Sequence, residues 1–286
     1  MKPARFEYVA PASLDAALAA LARGGDGASV LAGGQSLVPA MNFRLATPDV
    51  LVDLNRIPGL DRAYVDGDEL VVEALVRHRD LERPVMNDPL GRLLPEVARY
   101  VGHLPIRVRG TFVGSIAHAD PAAEWCTLAT ALDATVVVCS ADGKRRIGAE
   151  DFFLGPFTTS LAPDEIVTEV RLPLLEGTGT GFAEKSRTAG DFATVAVVAV
   201  VRRARGEIAE TRVGIGGAEG RPVRAAGAEE LLAGSDGGPD ACTAAGEAAA
   251  EGIDPISDAY CSPGYRRQLV SVLTARALAA AIEQAA

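Results

Sequence analysis

"VLAGGQSLVPAMNFRLATPDVLVDLN", residues Val30–Asn55, sets two adjacent glycines between two β-prone runs. A strand or helix interior has no use for such a pair, because glycine loses more backbone freedom on folding than any other residue. Gln35 and Ser36 follow at once, which gives the turn the look of a phosphate cradle. Two familiar phosphate signatures are nevertheless missing: no Lys-Ser/Thr completes a Walker loop, and no three-glycine fingerprint opens a helix. The stretch is either an ordinary turn or a cradle that works through main-chain N–H groups.

Working outward, Ser13 is placed to cap a helix whose Leu14, Leu18 and Leu21 share one face, with Asp15 in its first turn. Gly24-Gly25 ends it. Ser29-Val30-Leu31 and Val50-Leu51-Val52-Asp53-Leu54 read as short strands on either side of the glycine turn. Asp66-Gly67 and Asp142-Gly143 sit between apolar runs as hairpin turns. Helices are expected over Leu90–Tyr100 and Pro121–Ala131. The small-residue stretch Gly177–Gly181 reads as a linker. After it come two strands joined by Arg205-Gly206, then alanine-rich helical segments, ending in a helix over Tyr265–Gln284. These elements divide the chain into residues 1–176, with subdomains of about 1–56 and 57–176, and a C-terminal domain, 177–286.

A second segment resembles the first in kind. "RVRGTFVGSIAHADPAAEW", Arg107–Trp125, mixes Gly, Thr and Ser just before a helical stretch, with Asp120 and Glu124 close behind. Small residues let a backbone approach a bulky ligand, and N–H and hydroxyl groups donate to phosphate oxygens. Two such loops can grip opposite ends of one long ligand, and a dinucleotide fits that description. Gly and Ser also dominate ordinary turns, so each loop alone has a bland reading.

Three motifs, "AGGQSLVPAMNFRLATPDVLVDLNRIPGL", "GHLPIRVRGTFVGSIAHADPAAEW" and "KSRTAGDFATVAV", occur in the order and spacing of the FAD-binding medium subunit of the molybdenum hydroxylases. The chain resembles the aerobic carbon-monoxide dehydrogenase medium subunit and the xanthine dehydrogenase flavin domain over nearly its whole length. The resemblance implies an α+β fold: a vanillyl-alcohol-oxidase-type FAD-binding domain of two subdomains, plus a smaller C-terminal domain of antiparallel sheet and helices. It implies a pyrophosphate loop of Leu31, Ala32, Gly33, Gly34, Gln35, Ser36 and Leu37. Thr111, Gly114 and Ser115 carry over as the second loop, near the phosphates and ribityl chain. Ala119, Asp120 and Glu124 fall on the sugar and adenine side, Ile166 and Leu172 border the rings, and Lys185 matches a flavin-side lysine. His118 is either a cofactor contact or a structural hydrogen-bonding residue. The chain departs from the family at Val113, where a glycine is usual; a valine fits there only with φ below zero and its Cβ turned from the ligand.

The implied function is electron transfer. A small two-cluster iron–sulfur subunit and a large molybdenum-cofactor subunit would oxidise the substrate and pass electrons through FAD to NAD, a quinone or a similar acceptor. The alternatives are a free-standing FAD-dependent dehydrogenase or oxidase acting on a small molecule, and a binding protein that has lost its flavin. No residue is assigned a catalytic role on an organic substrate, and no metal site is expected.

The remaining composition agrees with this reading. Among 286 residues, 38 acids stand against 28 bases, a net charge of −10, which argues against nucleic-acid or anionic-membrane binding. Cys126, Cys139, Cys242 and Cys261 are too dispersed for a zinc ribbon, a disulfide framework or an iron–sulfur cluster. The first residues lack a signal-peptide pattern and no apolar run reaches a membrane span, so a cytoplasmic protein is expected. "VGIGGAEGRP", Val213–Pro222, has the wrong spacing for a dinucleotide fingerprint and reads as a sheet terminus. Lys144-Arg145-Arg146 reads as a solvated hairpin arm, His78 and His103 as too scattered to ligate metal with His118, and Ser36 and Ser115 as lacking any nucleophile-elbow context.

Overall fold

Ser13 caps the first helix as its position requires, its hydroxyl accepting the Ala16 N–H at 3.3 Å. In the computed structural model, which describes residues 2–285, this helix links the strands of a small parallel sheet. The order along the chain is β1 (Glu7–Val9), α1 (Leu14–Gly24), β2 (Ala28–Leu31), α2 (Leu37–Asn42) and β3 (Val50–Asp53). Strand β3 lies between the other two and runs parallel to both. Leu18 and Leu21 of α1 bury with Val52 and Leu54. The crossover through α2 leaves the glycine turn at the C-terminal end of β2.

The next elements are β4 (Ala63–Asp66), β5 (Glu69–Glu73), α3 (Pro89–Ala98), α4 (Leu104–Arg109), α5 (Phe112–His118), α6 (Glu124–Ala131), β6 (Thr135–Ser140), β7 (Gly143–Gly148), α7 (Ala149–Phe152), the separate short pair β8 (Phe153–Gly155) and β9 (Thr158–Thr159), and β10 (Ile166–Pro173). Of these, β4, β5, β6, β7 and β10 form a five-stranded antiparallel sheet. Its order is β4-β5-β10-β6-β7, with both Asp-Gly hairpins where the sequence puts them. Leu93, Leu94 and Val97 of α3, Phe112 and Ile116 of α5, and Trp125 and Leu128 of α6 fill the core over this sheet. The segment 107–118 was expected as a loop; most of it is helix, because Thr111 caps α5 by accepting the Gly114 N–H at 3.0 Å. Val113 accordingly has helical backbone, which meets the φ half of the condition its departure from the family pattern sets, and its largely buried side chain still borders the cavity described below.

The third sheet has the order β11 (Thr178–Ser186), β12 (Ala193–Ala204), β13 (Glu207–Gly216), β14 (Val223–Arg224), and carries α8 (Ala226–Leu232), α9 (Pro239–Glu251) and α10 (Pro263–Gln284). The segment Gly177–Gly181, expected as a linker, forms the start of β11. Its small residues serve packing: a Cβ on Gly179 would land on the Ala281 carbonyl, and one on Gly181 on the Ala277 carbonyl, so α10 lies directly on the strand backbone. The run "VGIGG" is the end of β13, and Gly217 turns the chain with φ of 73°. Helix α6 packs between the second and third sheets, touching β12 and β13.

Replacing Gly181 by Val should therefore cost stability through overpacking, by about 1–3 kcal/mol. The check is a lower urea midpoint with an unchanged slope.

Candidate functional site

The glycine turn and the 107–118 segment meet backbone to backbone. A Cβ on Gly33 would collide with the Arg109 carbonyl and come within 2.6 Å of the Gly110 Cα and 3.0 Å of the Thr111 nitrogen. Gly34, with φ of 71°, supplies the left-handed turn that other residues resist. A polar chain behind the turn fixes the contact. Tyr8 Oη–H donates to Asp53 Oδ2 at 2.5 Å, and Asp53 Oδ1 accepts from the Asn55 side-chain amide at 2.5 Å. Asn55 Nδ2 also donates to the Ala32 carbonyl at 2.8 Å. Its Oδ1 accepts from Arg77 Nη2 at 2.5 Å, and Arg77 Nη1 donates to the Arg109 carbonyl at 2.5 Å. Asn55 and Arg77 thus tie both segments together from the rear.

In front of this junction lies a cavity of about 440 Å³, ligand-sized and reaching from Ser29 and Val30 to Gly190, Asp191 and Phe192. Among the described residues, the N–H groups of Gly33, Gly34, Gln35 and Ser36 find no acceptor in the protein, and Ser36 makes no capping bond to α2. Four successive unpaired donors on one turn form a receptor for oxygen anions. No lysine or arginine lines the cavity.

Its charged and titratable lining is acidic or imidazole. Glu124, 4% exposed, is pushed up to about 7 by burial and then by Asp120. Asp120 is raised by burial, although its Oδ1 accepts the Ala122 N–H at 2.9 Å. Burial lowers His118, whose ring packs against Phe157 with centroids 5.1 Å apart. His78 accepts the Trp125 indole N–H at Nδ1, at 3.0 Å, and burial drives its pKa down to about 4, helped by Arg107 and Arg77. It is a neutral structural histidine that also closes the cavity wall, pressed so near Gly110 that a Cβ there would meet its ring.

The cavity gathers Ala32, Gly33, Gly34, Gln35, Ser36, Leu37, Thr111, Gly114, Ser115, His118, Asp120, Glu124 and Ile166. Four expected residues lie outside its lining. Leu31 belongs to β2 rather than to the turn. Ala119 is buried, with φ of 52°, and its carbonyl accepts the Phe157 N–H. Leu172 is turned into the core because a bulge between Val167 and Glu169 flips the strand, leaving Ile166 and Leu172 in different cores. Lys185 is exposed; the alternation of β11 gives the inward place to its neighbour Glu184. His78, Ile106, Leu161, Glu165, Val167 and the 190–192 turn also line the cavity and were not anticipated. Of these, His78 carried a readable signal, as a histidine at the end of an apolar run; Glu184, outside the lining, carried one as a carboxylate in phase with the apolar Phe182.

Residues 4–175 match the FAD binding domain in molybdopterin dehydrogenase, and residues 181–281 match the CO dehydrogenase flavoprotein C-terminal domain. The chain belongs to the FAD-binding medium subunits of the molybdenum hydroxylase family. It is 40% identical to the nicotine 6-hydroxylase medium subunit of Paenarthrobacter nicotinovorans, over 97% of this chain and 98% of that one. It is 38% identical to the 6-hydroxypseudooxynicotine dehydrogenase complex subunit alpha of the same organism, over 100% of this chain and 97% of the other. The structure of carbon monoxide dehydrogenase from Hydrogenophaga pseudoflava superposes with a TM-score of 0.96 at 35% identity, covering 100% of both chains. The medium-subunit fold is thus a mixed α+β FAD-binding domain followed by the flavoprotein C-terminal domain. Among the described residues, no helix is long and apolar enough to cross a membrane, and no group of three or more His, Cys, Asp or Glu is placed to hold a metal.

In this medium subunit the neutral His78 makes stability pH-dependent. From about pH 6.5 down to about 4 the unfolded chain takes up a proton that the folded His78 refuses, so the fold weakens as pH falls. Each pH unit in that window is worth about 1.4 kcal/mol for this residue. Urea midpoints of wild type and His78→Gln should converge as pH falls from neutrality towards 4, the variant lacking this component.

Proposed function

We propose that the cavity holds FAD with its diphosphate on the Gly33–Ser36 turn, and that the chain is the electron-transfer flavoprotein of a molybdenum hydroxylase complex. The observation that carries this is the row of four N–H groups without a protein acceptor on a turn that lines a ligand-sized cavity, whose lining has no basic side chain among the described residues. The residues fit the cofactor: Gly33 and Gly34 bring backbone donors close, and the hydroxyls of Ser36 and Ser115 line the same space. Thr111 holds α5 in place through its cap, and Ile166 with Val167 offers an apolar wall. In this reading Leu31, Ala119, Leu172 and Lys185 act, if at all, through the residues beside them.

Bound flavin accepts electrons singly or in pairs, which suits the junction between one-electron carriers and a two-electron acceptor. The chain's own part is to bind, orient and shield the cofactor. The names of the relatives, a medium subunit and a complex subunit, support assembly with an iron–sulfur small subunit and a molybdenum-cofactor large subunit. Electrons would then reach FAD from the clusters and leave to NAD, a quinone or another acceptor. We assign residues 1–56 and 57–176 to the two halves of the FAD domain and 177–286 to the flavoprotein C-terminal domain. Four free, buried cysteines suit a cytoplasmic setting.

Purified chain reconstituted with FAD should retain about one flavin per chain, read from its visible absorbance; a colourless protein overturns the proposal. Gly34→Val, which forces a β-branched residue to φ of 71°, should weaken FAD binding at least about tenfold, ~1.4 kcal/mol. Copurification from native cells with iron and molybdenum present tests the complex.

A further inference from the structure

Outside the cavity lining stands a further carboxylate, close to two of those that belong to it, Asp120 and Glu124. Glu184 stands on β11, in phase with the core residue Phe182, and its Oε2 is buried without any hydrogen-bond partner. Its charge is repelled by that of Glu124 at the start of α6, itself nearly fully buried, and Glu124 in turn is repelled by Asp120. Among the described residues none of the three makes an ion pair. The titratable groups beside them include the Cys126 thiol, which burial, Asp120 and Glu124 keep protonated, and His118, which burial keeps neutral. The cluster therefore has no cation to balance it, and two buried carboxylates that face each other do not both ionise easily.

We propose that Glu124 and Glu184 hold one proton between them through neutral pH, with Glu184 the positioning residue that sets this charge state, and that FAD binding is linked to that proton. The inference rests on the FAD reading of the cavity. An ionised diphosphate entering a floor without lysine or arginine meets one negative charge fewer when the pair keeps its proton. Removing that proton adds repulsion, so the cofactor binds best to the protonated pair. Burial and Glu124 push Glu184 up to about 8, and the two groups titrate as a pair, so the linkage falls in a range where neither histidine of the cavity changes charge.

The full-length chain, stripped of flavin, is titrated with FAD from about pH 6 to about pH 9, following quenching of flavin fluorescence, with calorimetry in buffers of different ionisation enthalpy. Wild type should lose affinity by up to about tenfold per pH unit above about pH 8, with proton uptake on binding. Glu184→Gln should lose the step above about pH 8, keeping only the titration of Glu124 near 7, and Glu184→Asp should restore the step. Wild type that binds FAD with no pH step and no proton uptake overturns the proposal and leaves the FAD reading standing. So does Glu184→Gln with an unchanged wild-type profile. Folded wild type that binds no FAD at any pH overturns the FAD reading, and this proposal with it. Should Glu184→Gln fail to fold, the proton uptake of wild type decides.

Discussion

Everything at the site depends on one close approach, that of Gly33 to the backbone between Arg109 and Thr111. There is no room for a side chain between the two segments, so the cavity is the space left where they diverge. Polar side chains span this contact from behind. It is maintained by Asn55 and Arg77, which hydrogen-bond the Ala32 and Arg109 carbonyls and each other. Asp53 and Tyr8 extend the chain into the parallel sheet. A network of short polar bonds of this kind transmits rigidity from a sheet to a turn that has little structure of its own.

The electrostatics follow from the same economy of side chains. With no lysine or arginine among the described residues of the cavity lining, burial dominates the titration of Asp120, Glu124 and the two histidines. His78 and His118 lose their protons more easily and Asp120 and Glu124 lose theirs less easily, which brings this part of the lining nearer to neutrality. Helix α6 ties this to the rest of the molecule: it presents Glu124 to the cavity, buries Trp125 against His78, and rests its other face on β13. The third sheet thus reaches the site through α6 and through Glu184, although most of that sheet lies away from it.

Local signals in the sequence were legible where one short-range cause sufficed. Ser13, the two Asp-Gly turns, and the leucines of α1 each specify their element by capping, turn geometry or periodicity. The reading of Gly177–Gly181 as a linker was wrong because small residues mark close packing as often as flexibility, and the partner helix lies nearly a hundred residues away. The 107–118 segment was underestimated as loop because its helix is short and begins from a threonine cap amid glycines. Leu172 was misplaced by a single bulge, which no alternation pattern announces. The glycine turn was legible as a cradle, but the reason for Gly33 was not. Its neighbour is a backbone that only the tertiary fold supplies. Lys185 and Glu184 differ by one position in a strand, and one position is the difference between solvent and interior.

A lining that contains neither lysine nor arginine has a further consequence. Attraction between full charges is screened by salt, and cofactors held that way loosen as ionic strength rises. Main-chain amides and apolar walls are not screened to the same degree. A diphosphate seated on the Gly33–Ser36 turn would keep its grip in concentrated electrolyte, and a bare phosphate ion, lacking the bulk to fill the rest of the cavity, would compete poorly for it. The site chooses its occupant by shape.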